Sequence, residues 1–399
     1  MGFVQSIVVL VLASFVLGCL ADCNHNNVYN VVDNGAKGDG ETYDTDAFLD
    51  TWNAACKDST DPTMLIPSGF TFLLNQIIFK GPCNSNIHVQ VDGNIVAPNK
   101  EWEKKAEHWI TFSEINGLKI DGSGQVDGKG SAWWSCRGDK KCSKTPDAFF
   151  VLKCKDVQLS DLKFVNSPRK HLSLYDTVGA QVSRLTIKAP EDSPNTDGIH
   201  IQNSQNVKVF KSTIGTGDDC ISIGTGTSNI NISQILCGPG HGISIGSLGE
   251  DESEAKVERI HIFNCRLSNT TNGVRIKTWQ GGSGYAKDIS FINIFFDFVE
   301  KPIVINQYYC DDNDNCSNKT SSVQITDVYY NNVKGSSSQE TAIILDCSKT
   351  NSCNGIVMEN INIKSAKDGD GKTTKASCFN AEVIIKGDVK PRLPCSSDS

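Results

Sequence analysis

The chain has 399 residues, 38% hydrophobic and 21% charged, with 46 acidic against 38 basic side chains and a formal net charge of −8. That length supports a large packed core, and the acidic balance speaks against nucleic acid as a partner, which would want a basic face. Sixteen cysteines without a Cys-x-x-Cys pair point to disulfides and an oxidising compartment, not to a zinc or thioredoxin-type site.

From the N-terminus, Ile7 to Leu20 is an uncharged apolar stretch ending in the small-residue pattern Cys19-Leu20-Ala21. Residues 1–21 are therefore expected to be a secretion signal and 22–399 the mature, extracellular chain. No later stretch reaches about 18 uncharged apolar residues, so no membrane span is expected. Phe48, Trp52 and Cys56 recur at helical spacing and predict a short helix over Asp44 to Cys56, placed to cover the end of a strand array. Strand-like alternation then keeps returning. It is seen at Leu118-Lys-Ile120, Val157-Gln-Leu159, Val207-Lys-Val209, Ile230-Asn-Ile232, Ile260-His-Ile262, Ile289-Ser-Phe291, Val323-Gln-Ile325 and Ile361-Asn-Ile363, with Gly, Asn, Ser and Asp between. Trp133-Trp134 reads as core packing, with a sugar-stacking platform as the alternative. One architecture runs from about Asn30 to Lys386, with no linker to divide it, so a single domain is expected.

The phrase Asp197-Gly-Ile-His-Ile recurs as Asp219-Cys-Ile-Ser-Ile, His241-Gly-Ile-Ser-Ile and Asn272-Gly-Val-Arg-Ile, at intervals of 22, 22 and 31 residues. Sandwiches favour strands some 8–12 residues apart, and propellers repeat at about 40–45. A parallel β-helix instead repeats once per coil, and its columns hold like residues. The columns Ile199/Ile221/Ile243/Val274 and Ile201/Ile223/Ile245/Ile276 fit inward ladders, with His200/Ser222/Ser244/Arg275 the outward column between them. The fold predicted is all-β, a parallel β-helix of roughly ten coils. The longer interval places a surface loop over Leu248 to Ala255.

Stacked copies bring Asp197, Asp219 and His241 into one column, about 4.8 Å apart per coil. Asp218 precedes Asp219 in the turn Gly215-Thr-Gly-Asp-Asp, where adjacent side chains can share a side. Singly, each Asp reads as a turn residue, His241 between glycines as much a turn as a functional group, and Arg275 and Lys277 as a solvated strand face. Their convergence on consecutive coils points instead to acid–base chemistry on an anionic substrate, of the kind two opposed carboxyl groups perform on a glycosidic bond. His200, His241, Arg275 and Lys277 make the expected cleft basic, while the acidic run Glu250-Asp251-Glu252 falls between repeats. The glycine-rich turns lack the lysine of a phosphate loop, and Asp311-Asp-Asn-Asp lacks the glycine and final glutamate of a calcium hand.

Asn195-Thr-Asp197, Gly217-Asp-Asp219, Gly240-His-Gly242 and Arg275-Ile-Lys277, in that order, resemble the four motifs of the polygalacturonases, glycoside hydrolase family 28. Ser193-Pro-Asn-Thr-Asp-Gly-Ile-His200 is similar to plant members, and Gly246-Ser-Leu-Gly249 to pollen-type exo-acting ones. The resemblance implies a right-handed parallel β-helix that hydrolyses α-1,4-linked galacturonan with inversion, without metal or cofactor. It implies Asp218 as general acid and Asp197 with Asp219 as the groups that hold and activate water. His241 would tune the acid, and Arg275 and Lys277 would grip substrate carboxylates. A cleft tyrosine would be Tyr309, with Tyr308 adjacent, and Cys220 would be bonded to Cys237. A monomeric, secreted, pectin-degrading enzyme of the cell wall is expected, exo-acting by the same resemblance. Endo action, a calcium-dependent β-helical lyase and a non-catalytic wall-binding protein are the alternatives. Cys136/Cys142, Cys310/Cys316 and Cys347/Cys353 share one short spacing that a disulfide can close, while Cys154 and Cys265 lie in apolar strands as free thiols. Asn231, Asn269, Asn315 and Asn318 are glycosylation sequons.

Overall fold

The computed structural model describes residues 27–100, 107–138, 145–310, 319, 323–367 and 373–397. The expected signal at 1–21, the sequons at Asn315 and Asn318, and Cys142 and Cys316 lie outside the described residues.

Every β-pairing among named strands is parallel, and each strand bonds to the ones a coil before and after it. Eleven strands, from Ile77–Lys80 to Lys375–Phe379, form the front sheet; the others form a second sheet that wraps round the remaining faces. Glu254–Ser268 illustrates the wrap, because its first half pairs with Thr227–Ser233 and its second half with Leu236–Cys237. This is a parallel β-helix. The front-sheet register places Ile199 on Ile221, Ile243 and Val274, and Ile201 on Ile223, Ile245 and Ile276. All eight are fully buried, which at about 1.5–3 kcal/mol for a branched side chain makes these ladders a main source of cohesion. The alternate residues His200, Ser222, Ser244 and Arg275 pair in register on the opposite side of the same strands.

The corners explain why asparagine is so frequent between strands. Asn206, Asn229, Asn264, Asn293 and Asn332 all hold positive φ near +55°, a conformation that asparagine tolerates better than other side chains with a Cβ. Their amides link coil to coil, Asn229 donating to Asn206 (3.1 Å), Asn293 to Asn264 (3.0 Å) and Asn332 to Asn293 (2.6 Å).

Helix Thr45–Lys57 buries Phe48, Thr51, Trp52 and Ala55 against the first coils. Trp52 packs on Phe79 and Phe112 and donates its Nε1–H to the Lys80 carbonyl at 3.2 Å, closing the apolar end of the stack. Cys56, expected on the apolar face, instead forms a disulfide with Cys83. A second helix, Ser131–Gly138, interrupts the alternation at Trp133-Trp134. Trp133 is buried in the core, and half-buried Trp134 donates its Nε1–H to the Ser167 carbonyl at 3.1 Å. The expected loop is shorter than Leu248 to Ala255. Leu248 and Ala255 are buried strand residues, and only Gly249 to Ser253 turns. Further disulfides join Cys220 to Cys237, Cys347 to Cys353 and Cys378 to Cys395, and Cys154 and Cys265 are buried free thiols. Asn269 is exposed at a turn, whereas Asn231 is half-buried on a sheet face. Among the described residues no helix is long and apolar enough to cross a membrane.

Candidate active site

Asp197, Asp219 and His241 each stand two residues before an isoleucine of the same front-sheet ladder, so the register stacks them. The column continues one coil earlier to Lys170, two residues before Leu172, which pairs with Ile199. The His171 amide bonds the Asp197 carbonyl (2.8 Å), fixing Lys170 beside Asp197. Together with Asp218, Arg275, Lys277 and Tyr309, these groups line a cleft of about 600 Å³.

The turn after strand Thr213–Gly215 presents two neighbouring aspartates to that cleft. Gly217 N–H donates to Thr196 Oγ1 (3.0 Å), His241 N–H to the Asp218 carbonyl (2.8 Å), and Gly198 N–H to the Asp219 carbonyl (2.9 Å). The turn is therefore bonded to the coils on both sides, and Cys220 adds its disulfide to Cys237. Gly240 and Gly242 flank His241 at φ +142° and +89°. A Cβ on Gly242 would meet the Asn272 carbonyl oxygen at 2.2 Å, so the backbone passes where no side chain fits.

The three carboxylates have different surroundings. Asp219 is buried and accepts from Ser244 Oγ (2.7 Å) and Arg275 Nη2 (2.9 Å) on one oxygen, and from Lys277 Nζ (3.2 Å) on the other. Arg275 Nε also donates to Ser244 Oγ at 3.0 Å, which completes a fixed network. Asp218 accepts from His241 Nδ1 (3.0 Å) and from the Asp219 amide (2.7 Å), with Asn195 Nδ2 at 3.4 Å. Burial pushes the Asp218 carboxyl up, but the His241 hydrogen bond and charge, with Lys277, outweigh it and hold it below the usual range. The same bond raises His241. Asp197 accepts from Ser222 Oγ at 2.5 Å, and Ser222 lies 2.7 Å from His200 Nδ1. Burial, reinforced by the Asp218 charge, pushes Asp197 up to about 7 against the pull of Lys170 and Ser222. Asp197 and Asp218 are thus pushed in opposite directions, one up and the other down, with His241 raised beside Asp218.

The sequence-predicted residues Asp197, Asp218, Asp219, His241, Arg275 and Lys277 all meet here, and Arg275 and Lys277 are largely buried ion-pair partners, not a solvated face. Tyr309 lines the cleft, its ring 5.0 Å from Lys277 Nζ and edge-on to Trp279, whereas the Tyr308 hydroxyl turns away to accept the Lys349 amide at 3.0 Å. His200 lines the cleft but is not basic: burial and the Lys170 charge drive it well below its usual value. Glu250, read as lying between repeats, stands on the cleft rim. Arg169, Lys170 and Gln202 are lining residues without a counterpart in the motif reading. For Lys170 the signal existed, because Lys170-His-Leu-Ser-Leu has the apolar spacing of Asp197-Gly-Ile-His-Ile. Buried His171 is a support of another kind. Its Nε2 accepts the Ser167 amide (3.2 Å), so Nδ1–H donates to the Asp197 carbonyl (3.0 Å), and burial takes it down to about 4.

The sequence model of Glycosyl hydrolases family 28 matches residues 56–386, the span that builds the stack and the cleft. The chain belongs to glycosyl hydrolase family 28. Its similarity to plant family 28 proteins is extensive. It is 43% identical over 381 residues to Polygalacturonase-2 of Solanum lycopersicum, covering 94% of this chain and 82% of that one. It is 44% identical over 371 residues to a polygalacturonase of Persea americana, covering 91% and 78%. Among solved structures, the endo-xylogalacturonan hydrolase from Aspergillus tubingensis has a TM-score of 0.78 at 24% identity over 91% of this chain and 99% of that one. The exopolygalacturonase from Thermotoga maritima has a TM-score of 0.75 at 19% identity over 90% and 91%. These likenesses bear on the fold, which a protein named as exo-acting and one named as endo-acting share almost equally. As a family 28 member the chain is a glycosidase that hydrolyses O-glycosidic bonds.

Proposed function

We propose that this glycosidase is a polygalacturonase, cleaving α-1,4-galacturonosyl linkages of polygalacturonate with inversion, and that it is secreted to the cell wall through the leader at residues 1–21. One observation carries the reading: three carboxyl groups lie in a cleft whose other charged lining includes Arg275, Lys277 and Lys170. Such a cleft suits acid–base cleavage of a sugar polymer that is itself anionic. The two plant relatives quoted above, both named polygalacturonases, support the substrate class.

In this mechanism Asp218 protonates the leaving glycosidic oxygen, while Asp197 and Asp219 hold and deprotonate the attacking water. Asp219 is suited to a fixed, charged role because two cations and a hydroxyl hold it. Asp218 must gain its proton as substrate enters. A uronate carboxylate arriving beside Lys277 neutralises a charge that holds Asp218 down, and the excluded water adds desolvation in the same direction. His241, bonded to Asp218 at 3.0 Å, is the adjacent proton source. Arg275 and Lys277 bind substrate carboxylates, the guanidinium being able to do so in bidentate fashion.

A calcium-dependent lyase would need the same carboxylates as metal ligands. Ligand atoms of Asp218, Asp219 and His241 do lie within 4.8 Å of one another. The Arg275 guanidinium and Lys277 ammonium already occupy Asp219, so a divalent cation would have to displace two positive charges. Exo action rests on the similarity of Gly246-Ser-Leu-Gly249 to exo-acting relatives, and Gly246, Ser247 and Gly249 lie on the cleft wall. Product analysis on polygalacturonate tests the reading. Saturated monomer from the outset, released as the β-anomer by proton NMR, is expected. A ladder of fragments would replace exo with endo action, and unsaturated ends would replace hydrolysis with elimination.

A further inference from the structure

Lys170 holds a position in the cleft that neither the motifs nor the acid–base scheme uses. Its backbone is fixed: the Ala148 amide (2.9 Å) and Ser167 Oγ (2.7 Å) both donate to its carbonyl, and the next amide bonds Asp197. The side chain lines the cleft, yet no described residue hydrogen-bonds or ion-pairs with its ammonium. The nearest carboxyl groups in the column are Asp147, one coil earlier, and Asp197, one coil later. Asp147 instead accepts from Ser173 Oγ at 2.9 Å, and its other oxygen has only Arg169 Nε at 4.0 Å. Asp197 accepts from Ser222.

The contrast with the other cleft cations is informative. Arg275 and Lys277 stand on coils after the acids and are both bonded to Asp219. Lys170 stands on the coil before Asp197, about 4.8 Å along the stack, and its ammonium has no hydrogen bond or ion pair among the described residues. A galacturonate chain carries one carboxylate per sugar, and cleavage requires sugars on both sides of the acids.

We propose that Lys170 is a substrate-binding cation that takes the carboxylate of a galacturonate on the opposite side of the scissile bond from Arg275 and Lys277. The proposal rests on the polygalacturonase reading for its ligand. Two posts of positive charge then flank the acids, and a polyuronate lies along the stack axis between them. Burial, which pulls the Lys170 ammonium below its usual range, makes an incoming anion more favourable there than at a hydrated surface lysine.

The test is calorimetric binding of trigalacturonate to the Asp218→Asn protein with and without Lys170→Gln. One lost charge-assisted hydrogen bond predicts affinity weaker by about ten- to a hundredfold. Lys170→Arg in the same background keeps the charge and is expected to bind within about threefold of the parent, which separates a lost contact from a folding defect. Methyl-esterified trigalacturonate, lacking the carboxylates, should bind equally to the Asp218→Asn parent and to the same protein carrying Lys170→Gln. Affinities for trigalacturonate within about twofold of each other would overturn the proposal, as would an equal loss for the esterified ligand. Turnover of polygalacturonate by the unmodified protein is a separate measurement. Failure there with Lys170-dependent binding intact would count against the proposed activity and not against this site.

Discussion

Asp197→Asn gives a stability change whose sign and pH dependence follow from the burial of this one carboxyl group. The wild-type group is moved from 3.8 to about 7, chiefly by desolvation. A carboxyl group whose folded value is raised contributes its full stability below its unfolded value and loses it as pH rises through the folded one. Between pH 4 and 8 that loss is on the order of 4 kcal/mol, set against a typical total stability of about 5–15 kcal/mol. Asparagine keeps an oxygen to accept from Ser222 Oγ, as Asp197 does at 2.5 Å, but never ionises. The variant should therefore match wild type near pH 4 and exceed it increasingly toward pH 8. Urea unfolding followed by tryptophan fluorescence across that range measures the difference. A gap that does not change with pH would refute the reasoning, because it would mean that Asp197 keeps an ordinary acidity inside the fold.

Asp218→Asn should cost about 10²- to 10⁴-fold in kcat with trigalacturonate binding retained, and a variant with most of its activity would remove Asp218 from the acid role. Lys277→Ala should mainly raise KM on polygalacturonate, since its ammonium faces the cleft beside Asp219; an unchanged KM would contradict substrate gripping. Turnover should peak at mildly acidic pH and fall toward pH 8 as His241, raised by Asp218, loses the proton that supplies the general acid. A flat profile between about pH 4 and 8 would refute that. Replacing Cys220 and Cys237 together by alanine opens a 17-residue loop and should cost about 3 kcal/mol, read by urea unfolding, with a larger fall in kcat than the same change at Cys347 and Cys353.

Much of this arrangement was legible because the stack copies its pattern at a nearly constant interval. The ladder through Ile199, Ile221, Ile243 and Val274 was readable since a one-residue slip would turn every isoleucine outward. Lys170 escaped because its interval to Asp197 is 27 residues and its phrase shares only the apolar spacing, not the acid. The opposite shifts of Asp197 and Asp218 were out of reach for a different reason. Whether Asp218 or Asp197 holds the proton depends on burial and on the His241 contact, quantities that exist only after folding. The disulfides Cys56–Cys83 and Cys378–Cys395 were equally hidden, because each joins segments whose proximity is set by the winding and not by neighbouring residues. The short helix at Ser131–Gly138 is too brief for periodicity to announce it.

Because the cleft lies across successive strands of the front sheet, the winding that buries the isoleucine ladders also sets a measuring scale. Each turn lengthens the groove by about 4.8 Å, so reach along a polymer can be altered only in whole steps, by what a given turn displays on its outer side. Lys170 and Tyr309 mark the two ends of the present scale, six front-sheet strands apart counting both. A descendant of this chain could lengthen or shorten its grip by exchanging a single outward residue at either end, with the hydrophobic interior untouched.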